Sequence, residues 1–154
     1  MINRDQVQSM VKNLIREMAN QMFGCPPATQ DLRLNTKNRD AAINAKHIQY
    51  GPLNLSDEEY WEKYADRWPE TTSAEEAKQS NCSNCVAFDI SERMKECMPG
   101  ETSDKDGELG YCWMHDFKCH SARTCYTWAA GGPIKDDTVS YSWQSKAKWH
   151  KGPR

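Results

Sequence analysis

Six cysteines lie within one segment of the chain, and they are the residues whose type and spacing most directly predict chemistry. Thiolate sulfur is a preferred ligand of zinc and of iron–sulfur clusters, and a C-x-x-C turn brings two thiolates together. Aromatic residues placed among the cysteines can keep water away from such a site. The segment therefore predicts a metal or cluster site, or else a set of disulfides, at Cys82, Cys85, Cys97, Cys112, Cys119 and Cys125.

The composition also favours a fold that is stabilised by such a site. Of the 154 residues, 38% are hydrophobic and 27% are charged, and the mean hydropathy is −0.92. This length suits one domain with extensions, but little aliphatic material is present to build an ordinary core. We therefore expect a metal centre, disulfides or contacts with other subunits to supply stability.

The charge pattern excludes several kinds of partner. Twenty Lys and Arg residues against 22 Asp and Glu residues give a net charge of −2, with both signs mixed along the chain. This balance predicts no attraction to nucleic acid or to a membrane. Charges at Arg4, Lys12 and Arg16 interrupt the N-terminal segment, so we expect no signal peptide and no transmembrane segment. In a cytosol, clustered cysteines are more often metal ligands than disulfides.

Motifs of hydrolases and nucleotide-dependent enzymes are absent from the sequence. The chain contains no G-x-S-x-G, no H-E-x-x-H, no P-loop and no dinucleotide-binding fingerprint. Its acidic residues fall in helix caps or in charged loops rather than in a defensible catalytic pair. We therefore expect a protein that is not an enzyme and has no small-molecule substrate.

Hydrophobic periodicity and capping motifs place the first elements. Residues 3–23 carry apolar side chains three and four positions apart, which predicts an amphipathic helix that packs on its own domain or on another subunit. Residues 28–54 show no sustained periodicity and predict an extended arm. The capping box Ser56–Glu59 predicts a helix that runs to about Trp68, and Ser73–Glu76 predicts a second, short helix.

The remaining segments complete the expected organisation. We expect a short strand and one helical turn between Cys85 and Cys97, and an exposed turn over residues 101–108. The polar C-terminal residues are expected to form a tail that contacts a partner. The predicted units are an N-terminal helix and arm (1–49), a cysteine-rich domain (50–134) and a C-terminal tail (135–154).

The cysteine motif resembles that of the high-potential iron–sulfur proteins, in which C-x-x-C is followed by a third cysteine and then by Gly-aromatic-Cys. The matching residues are Cys82-Ser83-Asn84-Cys85, Cys97 and Gly110-Tyr111-Cys112. The resemblance implies a small, irregular α+β domain around a [4Fe–4S] cluster. Its implied ligands are Cys82, Cys85, Cys97 and Cys112, and its implied packing residues are Tyr50, Phe88, Tyr111, Trp113 and Trp128.

Two further cysteines leave the implied ligand set open. Cys125-Tyr126-Thr127-Trp128 is similar to the C-x-x-W that follows the last ligand of that family, so Cys125 can replace Cys97 or Cys112. Cys119 is a second alternative. The two cysteines that are left over would form a disulfide or remain buried thiols. Cys25 is expected to be an ordinary buried or exposed residue, with a bridge to a neighbour as the alternative.

The second half of the chain also resembles small high-potential-type proteins encoded by tailed bacteriophages. This resemblance implies a structural iron–sulfur protein, a minor component of a virion (capsid, neck or tail) that is assembled in the host cytoplasm. Its terminal arms would bind neighbouring subunits. The alternatives are a soluble electron carrier, and an interaction module stabilised by zinc or by disulfides, with His115 or His120 available to complete a zinc site.

Overall fold

The structure is a computed structural model that describes residues 3–51, 57–66 and 73–147. Helices and an antiparallel sheet are both present, which confirms the expected α+β class. The helices are α1 (Arg4–Phe23), α2 (Pro27–Gln30), α3 (Leu32–Asn44), α4 (Glu58–Asp66), α5 (Ala74–Ala77), α6 (Glu92–Cys97) and α7 (Asp137–Lys146), and a 3₁₀ turn covers Cys82–Asn84. The strands are β1 (Phe88–Asp89), β2 (Ser103–Asp104), β3 (Gly107–Cys112) and β4 (Phe117–His120).

Strand β3 is the centre of the sheet. It pairs antiparallel with β1 and with β4, and its first residues pair with β2. In this register Phe88 of β1 and Phe117 of β4 both lie opposite Cys112. Because side chains directly opposite each other in a sheet point to the same face, both aromatic rings lie on the face that carries the Cys112 thiol.

Gly110 makes this packing possible. A Cβ atom at that position would lie 2.6 Å from the Phe88 ring and 2.8 Å from the carbonyl oxygen of Asp89. No side chain fits there, because the second of these neighbours is backbone and cannot move aside. The glycine of the Gly-Tyr-Cys motif therefore allows the Phe88 ring to lie across β3.

Helix α1 confirms the expected amphipathic helix, and its apolar stripe faces outward. Its contact with the domain includes an ion pair of 2.9 Å between Arg16 Nε and Glu96 Oε1. Six apolar side chains remain between 48% and 60% exposed, namely Val7, Met10, Val11, Leu14, Ile15 and Met18. No helix within the described residues is long and apolar enough to cross a bilayer.

The expected extended arm over residues 28–54 is wrong, because most of it forms α2 and α3. The Asp31 carboxylate caps α3 by accepting hydrogen bonds from the amides of Arg33 and Leu34, at 3.0 and 3.2 Å. Asn35 is buried and accepts a hydrogen bond of 2.7 Å from the Lys118 amide of β4. Because α3 packs against β4 through the polar side chain of Asn35, its segment shows no hydrophobic periodicity. The sequence pattern therefore did not predict this helix.

Within the described part of the C-terminal tail, Asp137–Lys146 form a helix, α7, which packs on α6. Arg93 of α6 is fully buried and donates hydrogen bonds to Ser140 Oγ at 3.2 Å and to Gln144 Oε1 at 2.6 Å. It also donates to the carbonyl oxygen of Gly24, at 3.0 Å. The segment was expected to contact a partner as a tail, whereas its described part folds onto α6, with buried polar side chains in place of an apolar stripe.

The short elements are close to expectation. Helix α4 buries Trp61 and Tyr64, and Asp57 accepts a hydrogen bond of 3.2 Å from the Tyr60 amide at its start. Ser56 and Trp68, where this helix was expected to begin and end, lie outside the described residues. Helices α5 and α6 confirm the expected short helix and helical turn. The expected short strand after Cys85 is β1, which begins at Phe88.

The buried core is unusual in its composition. Within the described residues, the buried apolar side chains include two branched aliphatic ones, Ile48 and Ile134. The others are aromatic residues, alanines, two methionines and six cysteines. Cysteine sulfur therefore takes the place that leucine and valine fill in an ordinary core.

Candidate metal centre

Five cysteines with free thiols are buried and line one small cavity. They come from the 3₁₀ turn, from strands β3 and β4, and from the segment that follows β4. Three other side chains complete the described wall. The lining residues are Cys82, Cys85, Phe88, Cys112, Met114, Cys119, Cys125 and Trp128.

The turn from Cys82 to Cys85 is fixed at both ends. The Cys82 amide donates a hydrogen bond of 2.7 Å to the Arg123 carbonyl oxygen, and the Cys85 amide donates one of 3.1 Å to the Cys82 carbonyl oxygen. Asn81 caps the turn by accepting from the Ser83 amide at 3.1 Å. The two thiols of the C-x-x-C motif are therefore held by local backbone geometry, as the sequence predicted.

Gly132 closes the turn from the other side. A Cβ atom on this residue would lie 1.7 Å from the carbonyl oxygen of Cys85. The Cys85 thiol also accepts hydrogen bonds from the amides of Ala87 and Ala129, which lower its pKa, although burial outweighs them and raises it. Residues 129–132 thus form one side of the site, which the cysteine spacing alone did not reveal.

Cys112 ends strand β3 at the centre of the site. Its sulfur accepts hydrogen bonds from the Cys119 thiol and from the amides of Met114 and His115. The pKa of the Cys112 thiol is lowered because these bonds, the Cys119 bond first, outweigh the effect of burial. The hydrogen bonds around Cys112 therefore favour its thiolate.

Cys119 lies in β4 and contacts two of the other thiols. Its sulfur is within hydrogen-bonding distance of the Cys112 and Cys82 sulfurs, and its single S–H group donates to Cys112. Burial is the largest cause that raises the pKa of this thiol well above its ordinary value, and the two neighbouring sulfurs raise it further. Cys119 is thus held as a neutral thiol between Cys82 and Cys112.

Cys125 completes the group of thiols from the segment after β4. Burial raises its pKa to about 12, while the hydroxyl and the amide of Thr127 oppose this by hydrogen bonding to the sulfur. The Cys125 Sγ and Thr127 Oγ1 atoms are 3.1 Å apart. Trp128 then donates from Nε1 to the Asn81 carbonyl oxygen at 3.0 Å and to Asn84 Oδ1 at 2.8 Å. This ring fixes the Cys125 segment against the C-x-x-C turn.

Cys97 was expected to be a metal ligand, and that expectation is wrong. It is bonded to Cys25, with 5.5 Å between the two Cα atoms, and so is not available as a thiolate. Cys25 was expected to be an ordinary residue, and that expectation is also wrong. The disulfide links the end of α6 to the turn between α1 and α2. Spacing along the chain could not reveal it, because the two cysteines are 72 residues apart in sequence.

The expected aromatic shell is present only in part. Phe88 and Trp128 line the cavity, whereas Tyr111 and Trp113 are buried but are not among its lining residues. Strand alternation explains this difference, because these two residues flank Cys112 and face the other side of the sheet. Trp113 Nε1 donates to Asp89 Oδ2 at 2.9 Å on that side. Met114 takes the place in the wall that an aromatic residue was expected to fill.

Tyr50 lies next to the thiols without lining the cavity. Its hydroxyl accepts a hydrogen bond of 3.1 Å from the His120 amide, and its ring meets the Phe117 ring edge-on at 4.9 Å between centroids. Burial raises the pKa of the tyrosine, and the neighbouring Cys119 and Cys82 raise it further. The residue expected to pack against a cluster is therefore close to two of the candidate ligands.

The histidines lie outside the cavity wall. His115 Nε2 is 2.6 Å from Thr127 Oγ1, and His120 Nε2 is 3.1 Å from the carboxylate of Asp104. Within the described residues, no three His, Cys, Asp or Glu side chains are arranged so that they could hold a metal ion. A mononuclear zinc site would need its ligands at about 2.0–2.3 Å from one point.

Compared with protein-family models, with curated proteins and with solved structures, the chain has no significant match, so its function has to be argued from its own residues.

Proposed function

We propose that this chain is an iron–sulfur protein whose [4Fe–4S] cluster stabilises the fold. The observation that carries the proposal is that five cysteine thiols, none in a disulfide, line one buried cavity. Disulfides are absent from this group, although the chain forms one elsewhere at Cys25 and Cys97. Thiolates that converge without pairing are typical of a site that binds soft metal ions.

The proposed ligands are Cys82, Cys85, Cys112 and Cys125. Cys85, Cys112 and Cys125 each accept at least one backbone amide hydrogen bond at sulfur, which is a common feature of cluster ligands and tunes the potential of the cluster. Cys82 belongs to the same C-x-x-C turn as Cys85. The family resemblance supports Cys82, Cys85 and Cys112, whereas Cys125 departs from the family order because it follows Gly-Tyr-Cys, and its assignment depends on its place in the cavity wall.

Cys119 is left as a buried thiol that is not a ligand. Burial raises the pKa of this thiol well above its ordinary value, and the neighbouring sulfurs of Cys112 and Cys82 raise it further, so the thiolate that a ligand requires is strongly disfavoured there. In a [4Fe–4S] cluster each cysteine binds a different iron, so the ligand sulfurs have to be separated rather than meet at one point.

The donor set fits a cluster, and the cavity has to widen to hold it. The free space is about 20 Å³, which is about the room needed for one water molecule. Met114 forms part of the wall and is 38% exposed, so it can move outward without disturbing the core. A single zinc ion is less favoured, because the described residues offer no group of three His, Cys, Asp or Glu ligands that meet at one point.

A bound cluster would cross-link elements that the core holds only weakly. Its four bonds would join the 3₁₀ turn, β3 and the segment after β4, where the cavity lies among aromatic rings and sulfur rather than branched aliphatic side chains. Metal–thiolate bonds contribute directly to the free energy of folding when the site does not exist in the unfolded chain. A structural role for the cluster follows from this composition.

The direct test is elemental analysis of protein purified without oxygen. We expect iron and acid-labile sulfide in equal amounts, at one [4Fe–4S] cluster per chain, together with visible charge-transfer absorption. Removal of the iron with a chelator should lower the midpoint of urea unfolding, because the cross-link is lost. A colourless, folded preparation that contains neither iron nor sulfide would contradict the proposal.

The exposed stripe of α1 supports a role as one subunit of a larger assembly. Val7, Val11, Leu14 and Met18 are spaced four, three and four residues apart, which is the seam of a coiled coil. Arg16 binds the domain from the opposite side of the helix, so the seam stays uncovered. Burying one such side chain contributes about 1.5–3 kcal/mol. The resemblance to phage proteins makes a virion the proposed setting, in which α1 pairs with another copy of the chain.

A Leu14→Glu substitution tests this pairing, because it places a charge in the centre of the seam. We expect the wild-type chain to associate as its concentration rises and the variant to remain monomeric, as measured by sedimentation equilibrium. Ser9→Glu adds the same charge to the exposed side of α1 away from the seam and should associate like the wild type. Equal association of the two variants, or a wild-type chain that stays monomeric, would contradict pairing through α1.

A soluble electron carrier is the second candidate, and one observation favours it. Met114 is partly exposed and lines the cavity, so a cluster there would lie one side chain from solvent. A carrier requires reversible one-electron reduction with the fold unchanged, whereas a purely structural cluster does not. Reversible titration of a chain that stays monomeric would therefore favour the carrier over the structural subunit.

A further inference from the structure

A second concave site lies on the other side of Tyr50 from the thiols, and its wall is rich in cationic side chains. It has a volume of about 400 Å³ and is formed by α3, the β2–β3 hairpin, β4 and the residue Arg123. Pockets of about 300–1,000 Å³ are typical of small-molecule sites. The size therefore suits a small ligand rather than a flat macromolecular contact.

Three cations face one carboxylate in this pocket. Arg39, Lys118 and Arg123 line it, and the acidic member of the wall is Asp104. Asp104 already accepts hydrogen bonds from the amides of Asp106 and Gly107, at 2.8 and 3.0 Å. Its charge is thus stabilised by its own hairpin and offsets only one of the three cations, which leaves the wall with two positive charges in excess.

His120 also stabilises the Asp104 carboxylate. His120 Nδ1 accepts a hydrogen bond of 3.0 Å from the Ala122 amide, which assigns the ring proton to Nε2, and Nε2 lies 3.1 Å from Asp104 Oδ2. The imidazole is therefore a neutral donor to the carboxylate. Because His120 and Asp104 are hydrogen-bonded to each other, the excess positive charge of the pocket wall is available to a bound anion.

Arg123 is held in place without an acidic partner. Its backbone is fixed, because its carbonyl oxygen accepts from the Cys82 amide at 2.7 Å. Its guanidinium carbon lies 5.6 Å from the centroid of the Tyr50 ring, which is within cation–π range. Neither Arg123 nor Lys118 forms an ion pair within the described residues, and Arg39 has one long pair of 3.6 Å with Asp40, in which both side chains are about half exposed.

We propose that this pocket binds a small organic anion through a carboxylate or phosphate group. A guanidinium that is already oriented can take two oxygens of such a group, and Lys118 adds a point charge from β4. The chain as a whole has a net charge of −2, so the positive potential is local to this site. The inference does not depend on the cluster, because no proposed ligand lines this pocket.

Calorimetric titration of the full chain tests the proposal at constant ionic strength, with inorganic phosphate and with citrate as the probes. We expect saturable binding of at least one probe, and the stronger of the two identifies the preferred oxyanion. Arg123→Gln should weaken binding by about tenfold or more, because a charge-assisted hydrogen bond pair is lost.

Lys12→Gln is the matched control, since it removes the same charge from the remote helix α1. It should bind like the wild type, and circular dichroism should show that both variants are folded. Lys118→Gln gives an independent second variant and should also weaken binding. The proposal is overturned if neither probe saturates at millimolar concentration, or if Arg123→Gln and Lys118→Gln both bind as tightly as Lys12→Gln.

Discussion

Cys112→Ser is expected to lose the cluster, and Cys125→Ser is expected to lose it as well. Cys112 lies at the centre of the proposed site, where the amides of Met114 and His115 and the Cys119 thiol favour its thiolate. A serine hydroxyl is a poor replacement there, because it would have to ionise at a buried position to bind iron. Iron and sulfide content and visible absorption of the variants, purified without oxygen, give the measurement.

Cys97→Ser and Cys119→Ser are the matched controls, because each removes one sulfur that is not a proposed ligand. Both should retain iron and sulfide. Cys97→Ser should also be less stable, because loss of a disulfide typically costs about 2–5 kcal/mol in small domains. If Cys97→Ser lost the cluster while Cys125→Ser kept it, the ligand set implied by the sequence spacing would be right and the one proposed from the structure wrong.

The sequence predicted those parts of the fold in which side-chain pattern and packing agree. Helix α1 was predicted because its apolar residues recur every three or four positions. The turn from Cys82 to Cys85 was predicted because its geometry is local. In both cases, the information lies within a few consecutive residues.

The missed helices dock through polar contacts that no hydrophobic pattern records. Helix α3 buries Asn35, which accepts a hydrogen bond from a strand amide, and α7 buries Ser140 and Gln144. Each of these side chains is polar, so a search for apolar periodicity interprets its segment as solvent-exposed chain. Within the described residues, the predicted arm and tail are therefore largely helical.

The roles of the cysteines depend on contacts far apart in sequence. Nothing near Cys97 distinguishes a disulfide partner from a metal ligand, and its partner Cys25 lies 72 residues away. Cys125 enters the site because Trp128 fixes its segment against the turn at Asn81 and Asn84. The sequence predicted that several thiols form one site. It left open which of them lie in that site, because this depends on how three separate segments pack.

Arg93→Met is expected to destabilise the chain by about 3–5 kcal/mol, since removing one partner of a buried charge network leaves the other without compensation. The Arg93 side chain is fully buried and donates to Ser140 Oγ at 3.2 Å. Ser140 in turn donates to the buried carboxylate of Asp89. The serine hydroxyl therefore connects the cation to the anion. Urea unfolding of both proteins gives the difference in free energy.

Lys95→Met is the control on the same helix. Its ion pair with Glu108 is 3.6 Å long and about one-third exposed on each side, so its loss should cost less than about 1 kcal/mol.

The double variant Arg93→Met with Asp89→Asn tests the connection through Ser140. Because Asp89→Asn removes the charge that Arg93 compensates, the double variant should be less destabilised than the sum of the two single changes by about 1–3 kcal/mol. Strict additivity would show that Arg93 stabilises the chain through its own hydrogen bonds and its contact with the Tyr141 ring, without electrostatic coupling to the Asp89 carboxylate.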